Sequence, residues 1–439
     1  MIYHFIGIKG TGMGALAQIM NSLGYEVQGS DKDDHFFTED ALIEAGIKIL
    51  SFDAENLKEN MIVVQGNAFR DDNVEVARAK EMNLKIYTYQ EMVGRLTEMF
   101  MTIGVSGCHG KTTTTSMMAH VLKNITGSNY LIGDGSGYAN KENKYFCLEA
   151  CEYKRHFLAY SPYYAIITNI ELDHIDYYKS IDDVILAYQE YANKAEKMVI
   201  ACGDDPYTHS LEVNPPIFYY GLNDDNDIIA KDVEYSDDGT SFDVFVEDNY
   251  YGHFDLPLYG KHMLLNALAV IGVCYYERMD AKDVAKHLKT FTGAKRRFKE
   301  NTIGDIVTID DYAHHPTEVK VTIKAARQKY PNKKVIALLK THTLSRTKEM
   351  ADEFVEALNL ADQAYVTDIG VDRFEEGYDD VDYHVILDKL ENGKYMSLDH
   401  VDELLQYEDA VLIFMSSKDI YVIQREYEKR LKEKLGIVE

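Results

Sequence analysis

The chain has 439 residues, 46% hydrophobic and 27% charged, with a formal net charge of −27 from 46 basic and 73 acidic residues. That length predicts about two to four domains rather than one core. The acidity argues against a nucleic-acid partner and against anionic membranes, which favour basic faces, and no apolar run reaches the ~20 residues of a membrane span.

Tyr3 to Ile8 reads as a buried strand. Gly7, Gly10, Gly12 and Gly14 follow it, then a helical pattern from Ala15 to Leu23. Tyr25 to Gln28 predicts a second strand ending at Gly29-Ser30-Asp31, Met61 to Gln65 a third, and Lys85 to Thr88 a fourth. Strands alternating with helices predict a parallel, doubly wound sheet. The glycines mimic the dinucleotide fingerprint but miss its Gly-x-Gly-x-x-Gly spacing, since Gly10-Thr11-Gly12 leads to Met13-Gly14. With Asp31 where a ribose-binding acid falls, the loop suits a diphosphate-bearing nucleotide, and a nicotinamide cofactor is not indicated. A purely structural glycine turn is the alternative.

The next segment opens with a strand-like run from Met99 to Val105, the loop Gly107-Cys108-His109-Gly110-Lys111-Thr112-Thr113, and a helical pattern from Thr112 to Leu122. Strand, glycine loop and helix make a phosphate site. Backbone N–H groups and the helix N-terminus face the oxygens, Lys111 reaches the outer phosphates, and the Thr112 hydroxyl faces Mg²⁺. The six-spaced first glycine of the usual motif is replaced by Val105. Strands are predicted at Tyr145 to Leu148, Tyr164 to Thr168 and Met198 to Cys202. Antiparallel hairpins are predicted between Asp227 and Asp255, and helices at Lys261 to Tyr276 and Ala281 to Lys289. Glu149 and Glu152 end one strand and His174 follows the next, so parallel-sheet geometry brings all three to the ligand edge beside Lys111. Thr112, a carboxylate and a histidine are reasonable Mg²⁺ ligands. Cys147 and Cys151 bracket Glu149 and are expected as buried strand cysteines rather than metal ligands.

The last segment predicts strands at Ile303 to Asp310, Lys334 to Leu339, Gln363 to Asp368 and Ala410 to Met415. Helices are predicted at Thr317 to Lys329 and Arg346 to Leu358, and an amphipathic tail helix from Lys418 to Leu435. Asp310-Asp311-Tyr312-Ala313-His314-His315-Pro316 lies between strand and helix, again on a ligand edge. Helix-start chemistry accounts for Pro316 and Thr317 but not for the acid pair and two histidines. Lys295-Arg296-Arg297-Phe298 is a basic cluster suited to an anionic ligand or to a salt-bridged linker. His342 and Arg346 could hold a substrate carboxylate, with a helix-start arginine as the plainer reading. The five cysteines have no C-x-x-C pairing and MIYHFIGIKG lacks the layout of a signal peptide, so a reducing cytoplasm is expected.

Taken together, GIKGTGMGALA, GSD, GCHGKTTTT, EACE, TNIELDH, GKHMLLNALAV, KRRF, DDYAHHPTE and THTLSRT make the chain resemble the Mur ligases over essentially its whole length, nearest their alanine-adding branch. The resemblance implies three α/β domains: a Rossmann-like UDP-substrate domain (1–98), a central P-loop-type ATP domain with an antiparallel insertion (99–293), and a Rossmann-like C-terminal domain (294–439). It implies an ATP- and Mg²⁺-dependent amide-forming ligase that joins L-alanine to the lactyl carboxylate of UDP-N-acetylmuramate through an acyl phosphate. Such an enzyme would be a monomer or weak homo-oligomer.

By position, Lys111, His174, Arg297 and Asp311 would be catalytic. Gly107, His109, Gly110, Lys111, Thr112, Thr113, His262, Asn266 and Arg297 would bind ATP, with Thr112 and Glu149 holding one Mg²⁺ and His174 serving a second. Gly10, Thr11, Gly12, Met13, Asp31, Asn67, Glu152, His314, His342 and Arg346 would bind the other substrates. The chain departs from the family at Met263, at Lys340-Thr341, and at Ser416-Ser417-Lys418 where a glycine loop is usual. Altered amino-acid selectivity or slower turnover is expected there. The alternatives are a relative with another acceptor, a weakened UDP-sugar-binding paralogue, or a nicotinamide oxidoreductase, the last opposed by the glycine spacing.

Overall fold

Short apolar runs punctuated by glycine build three sheets in the computed structural model, which describes residues 2–36, 38–371, 375 and 377–437. Strands β1 (Ile2–Ile6), β2 (Glu26–Asp31), β3 (Lys48–Ser51), β4 (Ile62–Gln65) and β5 (Lys85–Thr88) form a parallel sheet in the order β3-β2-β1-β4-β5. The order reverses between β1 and β4, so a crevice opens at their C-terminal ends, where Gly7–Met13 and Gly66-Asn67 lie. Strand β3 escapes the sequence reading because it is half-exposed at the sheet edge and carries no apolar run.

Strands β6 (Met101–Ser106), β7 (Ser128–Leu131), β8 (Gly137–Tyr138), β9 (Tyr145–Glu149), β10 (Tyr164–Ile167), β11 (Met198–Cys202), β12 (Ile217–Gly221), β13 (Ile228–Ser236), β14 (Gly239–Val246) and β15 (Asn249–Leu256) make the second sheet. Its order is β15-β14-β13-β12-β11-β10-β6-β9-β7-β8. The expected insertion is β13 to β15, joined by two-residue turns at 237–238 and 247–248. The third sheet holds β16 (Lys299–Ile303), β17 (Ile306–Asp311), β18 (Lys334–Leu339), β19 (Gln363–Val366), β20 (Gly393–Tyr395) and β21 (Ala410–Met415) in the order β16-β17-β21-β18-β19-β20. All of its pairs are parallel except β16 with β17.

Three expectations need correction. The single strand expected from Ile303 to Asp310 is two, because Gly304 takes a positive φ of 60° and turns the chain so that Ile303 pairs with Ile306. The helix expected from Arg346 to Leu358 is two, Leu344–Glu349 and Ala351–Leu358, broken where Met350 leaves helical dihedrals at φ −110°, ψ 24°. Apolar periodicity does not register a one-residue break. Cys147 is a buried strand cysteine, but Cys151 is only half-buried and sits in the turn after β9.

The described chain falls into two compact units. One comprises Met1–Lys231, Asp243–Phe254 and Leu265–Phe291, the other Asp232–Phe242, Asp255–Leu264 and Thr292–Glu439. Within the first unit, one apolar core runs from Leu16 and Ile19 of helix Thr11–Ser22 to Phe146, Tyr188 and Tyr191 around the second sheet. The two parts meet at backbone distance: a Cβ on Gly137 would lie 2.2 Å from the Ala15 carbonyl oxygen. In the second unit, Ile309, Val335, Leu339 and Ile413 pack beneath helices Pro316–Lys329 and Ala351–Leu358. Among the described residues no helix is long and apolar enough to cross a membrane.

The N-terminal ends of β9 and β10 are tied by Glu277. Its carboxylate accepts bonds from Lys144 Nζ and Lys197 Nζ at 2.8 Å each, Tyr164 Oη at 2.7 Å and Tyr145 Oη at 2.5 Å. Burial raises the Glu277 pKa, but these four donors outweigh it and hold the carboxyl at about 2. Because the folded pKa lies below the unfolded value, the network stabilises the fold above about pH 4.5 and that contribution fades as pH falls towards 2. Glu277→Gln is expected to cost about 2–3 kcal/mol in urea melts at pH 7, and the gap to the parent should narrow at pH 3. A gap independent of pH would refute the assignment.

Candidate active site

Strand β6 delivers Gly107 to Gly110 to the centre of the second sheet, where the strand order turns over between β10, β6 and β9. Helix Lys111–Ile125 begins immediately after, with Gly110 as its N-cap at φ 85°. Both glycines take a positive φ that side chains disfavour. A Cβ on Gly107, at φ 139°, would come 1.9 Å from Thr168 Oγ1, and one on Gly110 would come 2.7 Å from Asn266 Oδ1. The loop is braced from β10's C-terminal end. Asn169 Oδ1 accepts from the His109 amide at 2.9 Å, and Asn169 Nδ2 donates to the His109 carbonyl at 2.9 Å. His109 Nε2 lies 2.9 Å from Glu171 Oε2, and the Glu171 amide bonds Cys108 Sγ at 3.2 Å. In the TNIELDH run, residue type by itself points to His174 alone. Thr168, Asn169 and Glu171 act through backbone and loop contacts, which carry no periodic signal.

Lys111 Nζ donates to the Gly107 carbonyl oxygen and, at 3.1 Å, to that of Cys108, and it pairs with Glu152 at 2.9 Å. Glu152, almost wholly buried, also lies 3.5 Å from His174 Nε2. Burial alone would raise the Glu152 carboxyl, but Lys111 and then His174 pull it below the ordinary range. Burial likewise depresses Lys111, and Glu152 more than offsets it, so the amine stays cationic. On the other flank Thr112 Oγ1 donates to Glu149 Oε1 at 3.0 Å, while Glu149 Oε2 accepts from the Gly133 amide at 2.7 Å. A hydroxyl and a carboxylate side by side are the hard oxygen donors that suit Mg²⁺. Thr113 is buried one residue further along the same helix. The expected convergence of Lys111, Thr112, Glu149, Glu152 and His174 on one sheet edge is thus present, and Asn266 joins it through Gly110.

The chain after Glu152 is strained. Lys154 and Arg155 have φ 51° and 58°, and His174 has φ 52°. The left-handed region costs a non-glycine residue roughly 1–2 kcal/mol. Arg155 is held by Asp183 at 2.6 Å and Glu190 at 3.3 Å, both on helix Ile181–Ala192.

At the first sheet's crevice Gly10 caps helix Thr11–Ser22, with Thr11 half-buried and Met13 buried. Gly12 faces Tyr89, where a Cβ would lie 2.9 Å from the phenol oxygen. Asp31 shapes this loop, its carboxylate accepting from the Lys9 amide at 2.7 Å and the Lys32 amide at 2.9 Å. Asn67 is exposed after β4.

In the second unit, Asp311 ends β17. It accepts from the amides of Ala313 and Phe298 at 2.8 Å each and from Thr322 Oγ1 at 3.3 Å. Burial raises its pKa, with Arg297 opposing. The Arg297 guanidinium sits 4.9 Å over the Tyr312 ring and reaches Glu318 at 3.4 Å. Burial, helped by Arg297, lowers His262 to about 4, so its imidazole is neutral at physiological pH. His314 bonds Glu318 at 3.0 Å, and its ring centroid lies 5.2 Å from that of His342. His342 Nδ1 is 2.8 Å from Ser417 Oγ, a residue of the departing loop. Arg346 is buried in the helix that follows β18. Asp311, His314, His342 and Ser417 therefore share the C-terminal edge of the third sheet.

Three α/β sheets, the central one carrying a glycine loop between a strand and a helix, define a multidomain α/β class of protein. Sequence models described as Mur ligase family catalytic domain, Mur ligase middle domain, and Mur ligase glutamate ligase domain match residues 2–101, 105–274 and 296–423 in that order. Among solved structures, the UDP-N-acetylmuramate–alanine ligase of Thermotoga maritima is 27% identical with a TM-score of 0.80, the match covering 99% of this chain and 100% of that one. A murein peptide ligase of Psychrobacter arcticus is 23% identical at TM-score 0.68 over 98% of each chain. The MurF ligase of Thermotoga maritima in complex with ADP is 19% identical at TM-score 0.67, over 87% of this chain and 97% of that one. These last two show likeness of fold. The chain belongs to the Mur ligase family, ATP-dependent amide-forming ligases of peptidoglycan precursor synthesis.

Proposed function

We propose that the chain joins L-alanine to the lactyl carboxylate of UDP-N-acetylmuramate, in the cytoplasm and without nucleic-acid or membrane partners. The observation that carries this reading is the end-to-end likeness to the alanine-adding ligase of Thermotoga maritima, supported by the ordered motifs. Residues 1–98 hold the UDP part, 99–293 the ATP, and 294–439 the amino acid. A carboxylate is a poor acyl donor, because oxide leaves badly; transfer of the γ-phosphoryl group to it creates an acyl phosphate whose leaving group is good. The amine of alanine then adds to the carbonyl and phosphate departs.

Lys111 and Arg297 offset the repulsion between the anionic reactants. Thr112 and Glu149 would hold one Mg²⁺ and His174 would serve a second, and the cations would supply charge to spread the developing phosphate negative charge. Neutral His262 and Asn266 serve the adenine side. Asp31 and the Gly10–Met13 loop orient the diphosphate. His314, His342 and Arg346 receive the amino acid. The test is phosphate release with UDP-N-acetylmuramate and ATP, with and without L-alanine. Release that needs L-alanine is expected; release supported by a peptide or another amino acid, but not L-alanine, would overturn the assignment.

A second reading keeps the chemistry and changes the acceptor. The Ser417–His342 bond favours it, because it puts a side chain where the family's glycine loop has none. Ser417→Ala should raise KM for the amino acid about fivefold, the equivalent of one hydrogen bond, and leave KM for ATP unchanged. An unchanged amino-acid KM in an alanine, serine and glycine panel would remove Ser417 from selectivity.

A further inference from the structure

The strained turn after Glu152 brings a side chain with no role in the reading above against His174. The Tyr153 ring centroid lies 4.6 Å from that of His174, with the planes at 42°. Its hydroxyl donates to Asp176 Oδ2 at 2.8 Å, two residues beyond the histidine. The His174 backbone is itself in the left-handed region, and its carbonyl accepts from the Tyr177 and Tyr178 amides at 2.8 and 3.0 Å. Tyr178 Oη in turn donates to the Glu152 carbonyl at 2.6 Å. Left-handed φ at Lys154 and Arg155, held by the ion pairs of Arg155 to helix Ile181–Ala192, directs Glu152 at Lys111 and Tyr153 at His174 in one turn of chain.

Strain kept at two successive non-glycine residues needs a compensating constraint, and it gathers where geometry matters to function. An imidazole presented to a metal needs its ring plane set by neighbours as much as by its own backbone. We propose that Tyr153 is a positioning residue for His174: its ring fixes the tilt of an imidazole whose Nε2 lies 3.5 Å from Glu152 and would serve the divalent cation that accompanies ATP. The proposal rests on the metal role given to His174 above.

The test uses the full chain, Mn²⁺ as an EPR-visible probe, and β,γ-methylene ATP. Tyr153→Ala should weaken Mn²⁺ binding about tenfold and lower kcat by a similar factor. KM for UDP-N-acetylmuramate and the melting temperature should stay at their parent values. Tyr153→Phe, which keeps the ring and loses the hydroxyl, should bind Mn²⁺ within about twofold of the parent. His174→Ala is the comparator. If His174→Ala weakens Mn²⁺ binding and Tyr153→Ala does not, the positioning role is wrong and the metal assignment stands. If His174→Ala leaves binding unchanged, both fall. Equal damage from Tyr153→Phe and Tyr153→Ala, or a lowered melting temperature with unchanged Mn²⁺ binding, also overturns the proposal.

Discussion

Lys111→Met is expected to slow phosphate release by about 10³-fold, the scale of losing one preorganised charge at a transition state that builds up negative charge. The size follows from the environment. Lys111 is enclosed by the loop's own carbonyls and by a buried carboxylate, so no solvent cation can replace it at the same point. The substitution also strands Glu152, which keeps the His174 ring at 3.5 Å but loses its lysine partner. Removing one partner of a buried pair typically costs about 3–5 kcal/mol, so Lys111→Met should melt well below the parent. The double variant Lys111→Met/Glu152→Gln separates the two effects, since it takes away the stranded charge without restoring the catalytic one. It should recover most of the lost stability and none of the lost rate. Melting curves and phosphate release on all four proteins of the cycle measure this directly. A single-variant rate within tenfold of the parent would exclude Lys111 from the phosphate site.

Gly107→Ala is expected to lower turnover about 10²-fold, the scale of roughly 1 Å of displacement at a reacting centre. A Cβ there cannot coexist with Thr168 Oγ1 at 1.9 Å, and φ 139° disfavours any side chain. The loop must move, and with it the His109 amide that Asn169 holds. Gly110→Ala meets the softer obstacle of Asn266 Oδ1 at 2.7 Å, together with a φ of 85°, and should lose less. Gly24→Ala is the control. It has φ 83° but nothing within 4 Å of its Cβ, and it lies far along the chain from the loop. It should cost about 1–2 kcal/mol of stability from backbone strain and leave turnover intact. If Gly24→Ala and Gly107→Ala reduce turnover equally, strain rather than loop position is the cause.

Much of this architecture is written locally. Met198–Cys202, Lys334–Leu339, Ala410–Met415 and helix Lys261–Tyr276 fall where apolar runs and periodicity put them, because buried parallel strands and core helices need continuous apolar faces. Glycines marked the two loops for a related reason: Gly7, Gly107 and Gly110 take φ of 83°, 139° and 85°, which glycine adopts without penalty. The edge strand β3, the Gly304 turn and the Met350 break carry no such local mark and were missed or merged.

Within the site, residue types and strand-end positions were enough to name Lys111, Thr112, Glu149, Glu152 and His174 as neighbours, since a parallel sheet sends every strand's C-terminal end to one edge. Which atom meets which was decided only when distant segments packed. Glu152, expected at the substrate, is bound to Lys111 and His174; Asp31 bonds its own loop; Asn169 and Tyr153 gained roles from segments about 60 and 21 residues away in sequence. Propensity and periodicity act over a few residues and so specify elements and the edge they end on. Hydrogen bonds and charge pairs are satisfied across the fold, and burial makes each unmet one expensive, so the final pairing inside the site belongs to the packed structure alone.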